Sequence, residues 1–402
     1  MLSVKNPIMT GFFPDPSICR VGNKFYTVHS TFAYFPGVPV FESEDLVHWN
    51  LISNVLDRDS QVPLSGCQHS QGIFAPTIRY HKGTWYMITT NVSDQGNFIV
   101  TAKDPRGPWS EPYYLGESTG GIDPSLFFDD DGTCYYIGQR PRSAGYRYNG
   151  DCEIWIQTLD LDTMQLKPDA TIVLTGFQRK AIWPEGPHLY KKDGYYYILH
   201  AESGTSIHHS VMIARSKNVF GPYEYCPCNP ILTHRHLGAQ YPVTCVGHAD
   251  LVDDGNGNWY MVVLACRPNQ GYTLLGRETF LAKVTWEDGW PVVNAGVGHL
   301  EDVVTLPYEG QPSDDVPQCK TYTFDTPSLP LELLTLRNHR DHELELHAEE
   351  HIVRLFHRCD SLKDCGEPAY LALRQQHWNC EFETSFIPHF CKESDCAGIA
   401  MV

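Results

Sequence analysis

The 402-residue chain reads as an all-β protein, a five-bladed β-propeller followed by a smaller β domain. Three observations predict this. A short motif followed about a dozen residues later by an aromatic, β-branched strand recurs five times, at a spacing of roughly 50 to 60 residues, the range of propellers and arrays. The 32 glycines and 28 prolines separate strands of about four to eight residues, while charged residues make up only 19%, which suits tight turns better than helices with charged faces. No long amphipathic helix pattern interrupts residues 1–310.

The copies run in order. The first is Pro14-Asp15-Pro16-Ser17 before Lys24-Phe25-Tyr26-Thr27-Val28, and the second is Ala75-Pro76-Thr77 before Trp85-Tyr86-Met87-Ile88. The third is Ile122-Asp123-Pro124-Ser125 before Cys134-Tyr135-Tyr136-Ile137. In the fourth, Pro184-Glu185-Gly186-Pro187 leads to Asp193-Gly194, a dipeptide typical of two-residue hairpins, and then to Tyr195-Tyr196-Tyr197-Ile198. Gly247-His248-Ala249-Asp250 before Trp259-Tyr260-Met261-Val262 is the fifth. A further polar strand follows each hairpin, as at 97–102, and then Gly-Pro punctuation at Gly107-Pro108 and Gly221-Pro222, which makes a four-stranded blade. The run 278–286 is the last strand set and is expected to help close the ring against the N-terminal segment.

The polar, Pro-rich run 307–317 reads as a linker. A propeller over 1–306, a linker over 307–320 and a second domain over 321–402 are therefore expected. Beyond the linker the pattern stays β-like at 343–346 and 378–386. About eighty residues is slim for a two-sheet sandwich, and 397–402 look like a strand under way, so a truncated second domain is expected.

A formal charge of −18 argues against nucleic acid as a partner and suits a neutral ligand. No apolar run approaches a membrane span and the first residues lack the apolar core of a secretory signal, so a soluble, cytoplasmic chain is expected, without membrane contact. The fourteen cysteines are scattered, and Cys226-Pro227-Cys228 has no second pair at zinc-like spacing, so free thiols are expected.

In a propeller the inner strands start near the axis, so equivalent positions converge on one pocket. Here those positions hold Asp15, Ala75, Asp123, Glu185 and His248. A turn accepts Asn, Ser or Gly as readily as Asp, so three converging acids point to chemistry. Hydrolysis of a glycosidic bond needs two carboxyl groups, one protonated to assist the leaving oxygen and one ionised to activate water or attack carbon. A third acid nearby raises its neighbour's proton affinity.

Several motifs in order carry a family resemblance: Phe13-Pro14-Asp15-Pro16-Ser17, Ser30-Thr31-Phe32 with Phe35-Pro36-Gly37-Val38, Gly72-Ile73-Phe74-Ala75-Pro76, Gly121-Ile122-Asp123-Pro124-Ser125, Trp183-Pro184-Glu185-Gly186-Pro187 and Leu275-Gly276-Arg277-Glu278-Thr279. Across nearly its whole length the chain resembles glycoside hydrolase family 43, in its two-domain β-xylosidase and α-L-arabinofuranosidase branch. The resemblance implies a five-bladed propeller with a C-terminal β-sandwich, an inverting mechanism, and removal of single xylose or arabinose units from oligosaccharide ends. It matches Asp15 to the general base, Glu185 to the general acid and Asp123 to the residue that orients and tunes Glu185. Arg277, Phe32 and Phe74 match groups of the sugar pocket, with Phe74 where many relatives carry Trp, and Thr205 falls in a polar pocket loop. His248 has two readings: a satisfied interior imidazole that lines the substrate pocket, or the ligand of a hydrated calcium ion on the axis. No other cofactor is implied, and a homo-oligomer is left open. His208-His209 and His234-Arg235-His236 read as loop histidines without metal-site spacing. The alternatives are a sugar-binding propeller without catalysis, which would need no acid triad, or an inactive truncated homologue.

Overall fold

Each of the five motifs lies at or near the start of the first strand of an antiparallel sheet. The computed structural model describes residues 1–116, 120–310, 319–338 and 344–402; most of the expected linker, 311–318, and residue 343 of one expected strand lie outside them. Blade 1 runs outward through Ser17–Val21, Lys24–Val28, Gly37–Ser43 and Asn50–Leu56, and blade 2 through Thr77–His81, Thr84–Asn91, Gly96–Ala102 and Tyr113–Tyr114. Blade 3 holds Ile122–Phe128, Cys134–Pro141 and Cys152–Asp160, with Gln165–Leu166 and Thr171–Thr175 both paired to the third strand. Glu185–Lys192, Tyr195–Glu202, Ser210–Ser216 and Glu224–Tyr225 form blade 4, and Thr244–Asp253, Trp259–Cys266, Glu278–Glu287 and Trp290–Val293 form blade 5.

Local chemistry sets the hairpins. Lys192 pairs with Tyr195 across Asp193 and Gly194, whose φ values of 50° and 76° give the doubly left-handed turn that matches strand twist. The aromatic second strands then pack against neighbouring blades. One apolar cluster fills each interface, such as Tyr26, Val28, Trp85 and Met87 between blades 1 and 2, and Tyr197, Leu199, Met261 and Val263 between blades 4 and 5. The ring is closed between blades 5 and 1 by Leu2–Lys5, which pairs with Val303–Leu306 and buries Leu2 and Val4 against Ile18 and Val262. The expected contact of the last strand set with the N-terminal segment is present: Asn6 Nδ2 donates to the Leu281 carbonyl at 2.8 Å, and Met9 bridges Thr279.

A polar layer crosses the axis beneath the motifs. The Asp250 carboxylate, fully buried, accepts from Ser17 Oγ at 2.9 Å and the Ile18 N–H at 3.0 Å, and pairs with Arg79 at 3.0 Å. Arg79 also donates to His188 Nδ1, which lies 3.1 Å from Ser125 Oγ. Blades 1 to 5 each contribute to this network, so the inner strand starts are held in fixed relation to one another. Burial pushes Asp250 up, but Arg79, His188 and Tyr190 outweigh it and bring it down to about 2.

The C-terminal residues lie against blade 1. Thr335–Leu336 pairs with Tyr34–Phe35, and the buried Arg337 donates through Nε to the Cys67 carbonyl at 2.7 Å. Leu344–His347 and Ile352–Leu355 form a hairpin, which agrees with the β pattern at 344–346. The expected strand at 378–386 is not formed, nor is one at 397–402. Alternation supplies strand propensity, but a ladder needs a neighbour, and among the described residues none runs alongside; Trp378, Phe382 and Phe386 remain exposed.

Candidate active site

A pocket of about 870 Å³ opens where the inner strands begin, and all eight residues expected at the site line it: Asp15, Phe32, Phe74, Asp123, Glu185, Thr205, His248 and Arg277. Asp15, Asp123 and His248 share one backbone state, with φ of 53°, 54° and 52°, a left-handed conformation that Asp and His tolerate better than most residues. The member of this set from blade 4 is Gly186, at φ 57°, and not Glu185. This corrects the sequence alignment of the repeats by one residue. The physical reason lies two positions on, where Ser17, Ser125, His188 and Asp250 occupy equivalent ladder sites, facing Val28, Ile137, Leu199 and Val262. Glu185 thus enters the pocket one residue earlier than the other acids, across a bulge between Glu185 and His188.

Asp15 is buried and held on both oxygens. Ser30 Oγ donates to Oδ2 at 2.7 Å and Arg277 Nη1 to Oδ1 at 2.8 Å, while His248 Nδ1 stands 3.9 Å away. Burial raises its proton affinity, but Arg277, His248 and Ser30 outweigh it, so Asp15 lies below the ordinary carboxylate value. Asp123 goes the other way. Burial, with the nearby Asp15 charge, pushes it up to about 6 against the pull of His248 and of the Gly186 N–H, which donates to Oδ2 at 3.1 Å. Glu185 is raised well above its usual value by burial first, then by Asp123 and Asp15, with Arg277 opposing. One pocket therefore sets a carboxyl group biased toward ionisation beside one biased toward keeping its proton.

Phe32 and Phe74 stand edge to face with centroids 5.3 Å apart, and the Arg277 guanidinium lies 5.0 Å from the Phe32 ring. Thr205 is exposed on its loop at the pocket mouth. His248 packs against Gly186: a Cβ there would meet the imidazole at 3.0 Å. Calcium takes about six to eight oxygens. Among the described residues no three His, Cys, Asp or Glu side chains gather to hold a metal, so His248 offers one nitrogen without a protein cage around it. The donor set does not fit a calcium site, and no step below passes through one.

Several residues in and around the pocket were not anticipated. Ser30 lies in a quoted motif, but its bond to Asp15 depends on the fold. Phe12 packs 5.7 Å from Phe32. Trp183, at φ 49° and 41% exposed, forms part of the rim, backed by Gly150 and Gly204. His209 and His234 lie in loops as expected, but both are buried. His234 is partnered on both nitrogens, by the Val243 carbonyl and the Leu300 N–H, and His209 sits behind Glu185, its Nε2 3.9 Å from Oε1. Their rings are covered by chain segments distant in sequence.

Comparison with known proteins adds independent findings. Residues 4–291 match the model of glycosyl hydrolases family 43, and 321–402 match that of a β-xylosidase C-terminal concanavalin A-like domain. A xylosidase/arabinosidase of Butyrivibrio fibrisolvens is 55% identical over 405 aligned residues, covering 100% of this chain and 78% of that protein. A non-reducing end α-L-arabinofuranosidase of Bacteroides ovatus is 40% identical, covering 99% of this chain and 73% of that one. Among solved structures, a xylan β-1,4-xylosidase from Bacillus halodurans is 38% identical with a TM-score of 0.84, covering 93% of this chain and 72% of that one.

Proposed function

Because the chain belongs to glycosyl hydrolases family 43, we propose that it is an inverting exo-glycoside hydrolase that releases xylose or arabinose from the non-reducing ends of oligosaccharides. The observation that carries the chemistry is the opposed protonation of two acids in one pocket: Asp15 below the ordinary range, Glu185 well above it.

Asp15, ionised, is the general base. Its carboxylate takes a proton from a water as the water oxygen bonds to the anomeric carbon. On the opposite face Glu185 gives its proton to the glycosidic oxygen as the carbon–oxygen bond breaks, so the leaving sugar departs neutral. Asp123 orients Glu185 through the Gly186 peptide and, by charge, disfavours its early ionisation. Arg277 keeps Asp15 ionised and sits against Phe32, where Phe32 and Phe74 provide an apolar face for the sugar ring.

Matched aryl β-D-xyloside and α-L-arabinofuranoside substrates test the reading and divide the two sugars. Asp15→Ala is expected to abolish turnover whatever the leaving group, whereas Glu185→Ala spares aryl groups that need no proton. Proton NMR of the first-formed sugar should show the inverted anomer. A retained anomer, or full turnover in Asp15→Ala, removes Asp15 as base.

A further inference from the structure

His209 is a titratable group beside the site for which that mechanism has no use, and the fold is built closely around it. Its side chain is wholly buried, its carbonyl accepts from Thr233 Oγ1 at 2.7 Å, and its Nδ1 lies 3.0 Å from the Cys245 carbonyl. A carbonyl only accepts, so Nδ1 carries the proton and a neutral ring leaves a lone pair on Nε2. Burial holds the ring neutral, lowering it to about 4. Blade 5 is shaped around it: a Cβ on Gly247 would fall 2.4 Å from the imidazole Cγ. Yet Nε2 is buried without any hydrogen-bond partner, a costly state that calls for a reason. The acidic group it faces is Glu185, with Oε1 at 3.9 Å.

We propose that His209 is a positioning residue for the proton donor: its Nε2 lone pair accepts a hydrogen bond from the protonated Glu185 carboxyl between turnovers and so favours the acid over the ionised carboxylate. The inference rests on Glu185 being the acid. A small side-chain movement closes the distance. The proton stays with the pair until a glycosidic oxygen competes for it, and no solvent route through His209 is needed because its other nitrogen ends on a backbone carbonyl. The groups facing Glu185 are Asp123 and the Cys152 thiol of blade 3, Asp15 of blade 1 and Arg277 of blade 5; those facing His209 are His248, Asp15 and Arg277. The anions repel the Glu185 charge and Arg277 attracts it, so His209 adds to the first influence with no charge of its own.

His209→Asn keeps an amide N–H for the Cys245 carbonyl and withdraws the acceptor at Nε2; His209→Gln places an amide at the Nε2 position instead. In His209→Asn the alkaline limb of the kcat profile should move down by about half to one pH unit, as for loss of one neutral hydrogen bond. With a xylobiose substrate kcat should fall about tenfold, while a dinitrophenyl xyloside, which needs no proton, stays within about twofold. Gln should restore part of both. Gly247→Ala, which displaces the ring without touching its chemistry, should reproduce the split and guards against a misfolded Asn variant. An unmoved alkaline limb, or equal losses for both substrates, overturns the role of His209. If instead Glu185→Ala turns over xylobiose normally, it is the assignment of the acid that fails.

Discussion

Ser30→Ala tests the electrostatics of the base directly. Ser30 is fully buried, does not line the pocket, and gives Asp15 Oδ2 a hydrogen bond of 2.7 Å. A hydrogen bond to a charged group contributes about 1.5 to 3 kcal/mol, and a pKa unit corresponds to about 1.36 kcal/mol, so the Asp15 pKa should rise by about one to two units. Arg277 remains in place at 2.8 Å, so the base stays ionised at neutral pH and the neutral rate should change by no more than about fivefold. The acidic limb of kcat/KM reports the base of the free enzyme, and it should move upward by that one to two units on an aryl β-D-xyloside or its arabinofuranoside counterpart. Stability carries the same sign. A carboxylate with a depressed folded pKa stabilises the fold above its unfolded value and loses that contribution as pH falls through the folded one. The variant's loss of melting temperature should therefore be largest at neutral pH and shrink below about pH 4. An acidic limb that stays put in a folded variant would refute the account of how Asp15 is kept ionised.

Asp123→Asn should separate activity from stability: with Asp123 raised to about 6, its ionisation costs the folded state as pH rises from 3.8 past 6, so the variant should be more stable than the parent at pH 7 by about 1 to 3 kcal/mol, and equal to it near pH 4, while kcat falls. Denaturant unfolding at the two pH values measures this. Asp250→Ala strands the buried Arg79 charge and should cost about 3 to 5 kcal/mol in the same assay, whereas the double variant Arg79→Met, Asp250→Leu should recover part of the loss. Gly276→Ala, at φ 67° with a Cβ 2.5 Å from the Phe12 ring, should displace Phe12 and its neighbour Arg277 and lower kcat/KM about tenfold with either sugar.

Much of the propeller was legible because each blade repeats one local instruction: a Pro-bounded strand start, a Gly-containing turn and an aromatic second strand. The convergence of Asp15, Asp123 and Glu185 follows from that repetition. The offset of Glu185 was also legible, though overlooked, since Asp15-Pro16, Asp123-Pro124 and Gly186-Pro187 align on their prolines and leave Glu185 one place ahead. Long-range packing was not legible. His209 beside the exposed His208 gives no local sign that Gly247 on blade 5 leaves room for its ring, and nothing near Arg79 announces Asp250. The alternation at 378–386 encoded a preference that only a neighbouring strand could realise.

The offset explains how three carboxyl groups of one pocket can differ in proton affinity. Were Glu185 in the left-handed position of Asp15 and Asp123, blade 4 would present a third identical acid, and its backbone N–H could not be the Gly186 group that Asp123 grips. Moved ahead by one residue, Glu185 has, among the described residues, no cation or hydroxyl donor hydrogen-bonded to its oxygens, while Asp15 has Arg277 and Ser30. Like charges then do the rest: with Asp15 ionised by its partners, every further ionisation in the pocket is opposed, and the proton falls to the group with least compensation, which is Glu185. Acid and base are thus assigned by backbone position rather than by side-chain type, and exchanging Asp for Glu at either place would not exchange their roles.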